Sequence, residues 1–130
     1  MRKVVCIVFI KNKKVLLVNK RGIYILPGGK PKKNENDMEC LEREVNEELN
    51  ADITSLPISF LGEFRGCAPY KKYEFFSKVY FCECDNRKAF REIRAQAEIS
   101  NFIWTKKPLA HKLSEVTIKI INFLLEKKIM

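Results

Sequence analysis

The sequence predicts an α/β layered domain, and three observations carry that prediction. Short apolar runs bounded by polar turns read as strands. Two segments, Asn34 to Leu49 and about Pro108 to Lys128, space their apolar residues as amphipathic helices do. The 130 residues fit one core, and no repeat, low-complexity linker or composition shift marks a boundary. A single domain over residues 1–130 is therefore expected.

In chain order, Val4–Ile10 and Val15–Val18 flank the polar turn "KNKK" and read as a β-hairpin. Ile23–Leu26 is a short strand, and Pro27-Gly28-Gly29 should bend the chain after it. Over 34–49, Met38, Leu41, Val45 and Leu49 make one apolar stripe. Asn34 can cap that helix, with Asp37 three residues on, and Asn50 suits the left-handed residue that ends it. Ile58–Phe64 and Phe75–Cys84 read as strands, the second apolar on both faces and so covered on both sides. Gly66–Lys72 reads as a loop, and the charged run Asp85–Ser100 is hard to assign to an element. Phe102–Trp104 is a short strand. Leu109, Leu113, Val116, Ile120, Phe123 and Leu124 form the apolar face of the last helix, with a break near Ser114.

Composition excludes several classes. No apolar run approaches the ~18–20 residues of a membrane span, and "VVCIVFI" lacks the small-residue cleavage site of a signal peptide. The five cysteines are odd in number and include no Cys-x-x-Cys; Cys82 and Cys84 share a strand face and read as packing. A reducing cytoplasm is the expected setting. The net charge of +9 is scattered through "KNKK", "KPKK", "YKKY", "TKKP" and "EKKI", which reads as solubility or as recruitment of phosphates. "GGK" followed by Pro31 is no Walker-type loop, because no glycine lies five residues before Gly29.

Against this basic background Glu44, Glu47 and Glu48 crowd together. At 100° per residue, with Leu41 at zero, Met38, Val45 and Leu49 fall between about 40° and 80°. Glu48 falls near about −20°, Glu44 near about −60° and Glu47 near about −120°. The carboxylates thus border the buried face. Like-charge pairs at these spacings cost roughly 0.2–0.5 kcal/mol each, and the negative end of the helix dipole adds some tenths. Arg43, i,i+4 from both Glu39 and Glu47, can bridge two of them, leaving Glu44 and Glu48 without a cation near in sequence. A solvated acidic face and a hard divalent cation held by oxygen both fit this spacing.

The same segment resembles the Nudix box, G-x5-E-x7-R-E-U-x-E-E-x-G-U with U aliphatic. Gly29, Glu35 and "REVNEELNA" place Arg43, Glu44, Val45, Glu47 and Glu48 in register. Six fixed positions match, on the order of 10⁻⁷ per start point for independent positions; glutamate-rich helices weaken that figure without making the match ordinary. Asn50 stands where the family has glycine, a substitution that keeps the left-handed conformation, and "KPKKN" puts Lys32 and Lys33 where many relatives are acidic. "YILPGG" and "EISNFIW" resemble elements before and after the box, so the resemblance covers most of the chain.

The resemblance implies a Nudix-type α/β/α sandwich with a mixed β-sheet between helices. It implies hydrolysis of a pyrophosphate bond in a nucleoside diphosphate derivative, with Mg²⁺ or Mn²⁺. Glu44, Glu47, Glu48 and the Gly28 carbonyl would be metal ligands. The general base would be Glu47 or Glu44, with Glu98 as the loop alternative; Arg43 would orient the box carboxylates and Glu35 would tie loop to helix. Trp104, Tyr24, Tyr70 and Tyr73 are candidates to stack on a base, with packing the expectation for Trp104, and His111 is expected to be incidental. The partner implied is a small nucleotide, acting on a monomer or homodimer, and nucleic acid is the less expected one. The alternatives are a non-catalytic nucleotide-sensing domain and an RNA 5′-end pyrophosphohydrolase.

Overall fold

The structure, a computed structural model, describes residues 2–67, 73–84 and 88–130. Among these, seven strands form one mixed sheet: β1 Arg2–Lys11, β2 Lys14–Lys20, β3 Ile23–Ile25, β4 Gly28–Gly29, β5 Ser59–Cys67, β6 Glu74–Glu83 and β7 Ile99–Thr105. Two α-helices, α1 Asp37–Leu49 and α2 Glu115–Glu126, accompany them. The main path runs β3-β2-β1-β6-β5, with β4 also on β1 and β7 also on β2. β1 and β6 are parallel; the other pairs are antiparallel.

Strand alternation puts one helix on each face. Val5, Ile7 and Phe9 of β1 and Leu16 and Val18 of β2 pack with Cys40, Leu41, Val45 and Leu49 of α1. The intervening Cys6, Val8, Ile10, Val15 and Leu17 pack with Val116, Ile120, Ile121 and Leu124 of α2. The expected sandwich is thus present. β6 feeds both cores, Cys82 into the first and Phe75 and Val79 into the second, as its two apolar faces predict. Cys82 and Cys84 are both buried beside α1, with no disulfide. No helix among the described residues is long and apolar enough to cross a membrane.

The first hairpin turns on Asn12 (φ 51°) and Lys13 (φ 62°), and the second on Arg21 (φ 54°) and Gly22 (φ 85°). Two consecutive positive φ values match the twist of the flanking strands.

Four expectations are corrected. The N-cap of α1 is Asn36, which accepts from Glu39 N–H while Glu39 accepts from Asn36 N–H. Asn34 is still in the preceding turn, at φ 67°, and Asp37 bonds Lys3 and Tyr80 instead. Gly28-Gly29 does not simply bend away; it lies on β1 as a two-residue strand. The terminal segment does break near Ser114, which caps α2, but what precedes the break is a 3₁₀ turn at Pro108–Ala110 and Leu109 is exposed instead of joining the apolar face. β5 runs on through Cys67, so Gly66 and Cys67 are strand, not loop; the rest of that expected loop, Tyr70 included, lies outside the described residues.

Candidate active site

A cleft of about 600 Å³ opens between β1, β3, β4, β6 and the start of α2. Glu44, Glu47 and Glu48 of α1, Gly28 and Gly29 of β4, and Glu98 just before β7 all line it. Its interior is different in character: Val4, Ile25, Leu26 and Phe75 alternate with the small polar groups of Cys6, Ser77, Ser114 and Thr117. The polar groups pair among themselves, Cys6 Sγ with Ser77 Oγ at 3.0 Å and Ser114 Oγ with Thr117 Oγ1 at 2.7 Å.

The three box carboxylates are graded by exposure as their helical angles predict. Glu48 is 7% exposed, the Glu44 side chain 18% and the Glu47 side chain 49%. Glu48 Oε1 accepts from Gly28 N–H at 3.0 Å. Burial nevertheless pushes the Glu48 carboxyl up to about 8, with the charge of Glu44 adding to the effect and the Gly28 hydrogen bond opposing it. Burial raises Glu44 as well, against its bond from Arg43.

Two glycines make this proximity possible. At Gly28, φ 145°, a Cβ would lie 2.1 Å from Val5 O. At Gly29 a Cβ would lie 2.5 Å from the Glu44 carboxyl carbon, so the carboxylate occupies the space a side chain would need.

Arg43 stands behind the acids, outside the cleft lining. Its Nε and Nη2 bond Glu35 Oε2 and Oε1 at 2.8 and 2.9 Å, a bidentate pair. Its Nη1 reaches Glu44 at 2.9 Å and Glu47 at 3.4 Å, and Nη2 also donates to Lys30 O at 3.1 Å. The predicted bridge from Glu39 to Glu47 is therefore half right. Glu39 is spent on the cap, and Glu35 from the preceding loop takes its place. Glu35 also accepts from Lys32 N–H, and with the Arg43 bond first among the causes its carboxyl is held down at about 2.

Glu98 is exposed and pairs with Lys20 Nζ at 2.8 Å, a bond that lowers its carboxyl. Among the aromatic candidates, Trp104 packs edge-on to Phe90 and under Lys11, as expected of a core residue. Tyr24 bonds Asn101 and packs edge-to-face with His111, away from the cleft lining. Tyr73 does line the cleft, but Arg2 lies over its ring at 4.1 Å. The inner hydroxyls and Gln96, described below, escaped sequence reasoning because nothing in their local pattern sets them apart.

Among the described residues, no three Asp, Glu, His or Cys groups are drawn close enough to cage a metal ion as they stand. The donor set is nonetheless the kind a hard divalent cation requires. It is all oxygen, crowded and partly desolvated, with two carboxyls that burial has made reluctant to ionise without added positive charge.

A sequence model of the NUDIX domain matches residues 1–121. The chain belongs to the NUDIX family. Solved structures share the fold. A bifunctional NMN adenylyltransferase/ADP ribose pyrophosphatase from Francisella tularensis, complexed with AMP and Mn ion, superposes with a TM-score of 0.75 at 24% identity, over 97% of this chain and 41% of that one. The NUDIX domain of Shewanella oneidensis NrtR, complexed with ADP ribose, gives 0.79 at 18% identity over 98% and 88%. The mutator protein MutT of Bacillus halodurans gives 0.74 at 21% over 94% and 80%. The chain spans about two fifths of the length of the Francisella protein. No curated protein matches it.

Proposed function

We propose that this NUDIX chain is a metal-dependent pyrophosphohydrolase acting on a nucleoside diphosphate derivative. The observation that carries the reading is the buried Glu48 beside Glu44 and Glu47 on the wall of a nucleotide-sized cleft. Structural neighbours complexed with AMP and Mn ion or with ADP ribose lend it support. Glu44, Glu47 and Glu48, with the Gly28 carbonyl, would hold Mg²⁺ or Mn²⁺. A bound ion of that kind supplies charge neutralisation for the pyrophosphate and a lowered pKa for a coordinated water.

The chain's own residues do the rest. Glu47, the most exposed of the three, would take the proton of the attacking water; Glu44 is second, and Glu98 is the loop alternative. Arg43 orients Glu44 and Glu47, and Glu35 fixes Arg43 from behind. The apolar interior with its hydroxyl and thiol groups seats the nucleoside, where such groups can meet the polar edge of a base. The whole site lies within residues 1–130, which the proposal takes as one domain.

The test is a substrate panel with Mg²⁺ and Mn²⁺, read by release of nucleoside monophosphate, phosphate or pyrophosphate. ADP-ribose, oxidised nucleoside triphosphates, dinucleoside polyphosphates, nucleotide sugars and capped or triphosphorylated RNA make up the panel. Glu47→Gln is expected to lower kcat by about 10²-fold or more while the chain stays folded. Equal turnover by wild type and variant removes Glu47 from its role.

A further inference from the structure

The last turn of α1 has no basic residue, although Glu47 and Glu48 sit there at the negative end of the helix dipole. Its four final carbonyls are all bonded even so. Asn50 N–H donates to Asn46 O at 3.0 Å. The remaining donors come from one distant segment. Gln96 Nε2 donates to Asn46 O at 3.0 Å and to Glu47 O at 3.1 Å. Gln96 N–H donates to Glu48 O at 2.9 Å and Arg94 N–H to Leu49 O at 3.1 Å. In return, Asn50 Nδ2 donates to Glu92 O at 3.1 Å. Arg94 Nε donates to Gln96 Oε1 at 2.9 Å, which engages the amide oxygen and leaves the nitrogen to face the helix. Two residues further, past Ala97 in the left-handed region at φ 54°, Glu98 reaches the cleft.

We propose that Gln96 is a positioning residue that locks the segment carrying Glu98 to the helix carrying Glu44, Glu47 and Glu48, so that all four carboxylates keep one geometry around the cleft. The inference rests on the hydrolytic reading of that cleft. The chemistry calls for an amide. Its two N–H groups serve two carbonyls at once, and a glutamate of equal length would turn oxygens toward them. The segment is also held from below. Ile93 and Ala95 pack into the core under α1 and Ile99 is buried there. Loss of the amide therefore loosens the aim of Glu98 without detaching the segment. Ala97 sharpens the dependence, since a residue with a Cβ adopts its φ only where the surroundings impose it.

A double-mutant cycle tests this, using Gln96→Met, which keeps length and removes both donors, and Glu98→Gln. On the best substrate of the panel, Gln96→Met is expected to lower kcat about tenfold with KM little changed. In the Glu98→Gln background it is expected to add no further loss, because it acts through that carboxylate. Losses that multiply overturn the proposal, as does full activity in Glu98→Gln. Loss of turnover in Glu47→Gln reports separately on the hydrolytic reading. Should wild type hydrolyse nothing, hydrogen exchange decides the matter: the backbone N–H at position 96, which donates to Glu48 O, should exchange at least about tenfold faster in Gln96→Met than in wild type. Equal protection in both proteins overturns it.

Discussion

The two ends of α1 are satisfied in opposite ways. At its N-terminus Asn36 and Glu39 close a reciprocal pair three residues apart, reinforced by Asp37 in the first turn. Everything needed lies within a few residues. At its C-terminus Asn50 takes the left-handed cap, but most of the carbonyl partners arrive from Arg94 and Gln96. The end that carries the crowded acids is thus the end that depends on the rest of the fold. A helix can start on local information and still need tertiary structure to finish.

The largest break in this comparison should come from the core side of the C-terminal turn. Leu49 is fully buried, and Leu49→Ala is expected to cost about 2–5 kcal/mol in urea unfolding. Removing the local device should cost less: Asn36→Ala is expected to lose about 1 kcal/mol. A cap variant more damaging than the core variant would reverse the ranking of the two ends. The gentlest test acts only in acid. Glu35 has its carboxyl depressed from 4.5 to about 2 by Arg43 and Lys32, so its contribution is complete above pH 4.5 and is lost as pH falls toward 2. Thermal melts across that window should show a limb that Arg43→Met flattens.

The same contrast explains how much of the molecule could be read from its sequence. Apolar periodicity located both helices and most strands, because burial on a sheet face or a helix stripe repeats along the chain. It also put Glu44, Glu47 and Glu48 at the border of the buried face, and their exposure follows their angles around the helix, a local quantity. Asn50 was legible as a left-handed cap for the same reason. The N-cap was misplaced by two residues because two asparagines compete there, and only the backbone turn at Asn34 decides between them. Arg43 was matched to its helical neighbours because i,i+4 reasoning cannot see a loop folding back to offer Glu35. The Gln96 contacts left no trace at all. Their acceptors are backbone carbonyls, which every residue has.

The parallel β1–β6 ladder joins residues roughly seventy positions apart, and the cleft beside it is lined from Val4 to Ile120. Long loops must close before either contact repays its entropy, so contact order sets a slow pace for assembling this part of the molecule. The box helix can gather its turns early, but the pocket it serves becomes complete only when distant stretches of polypeptide have met.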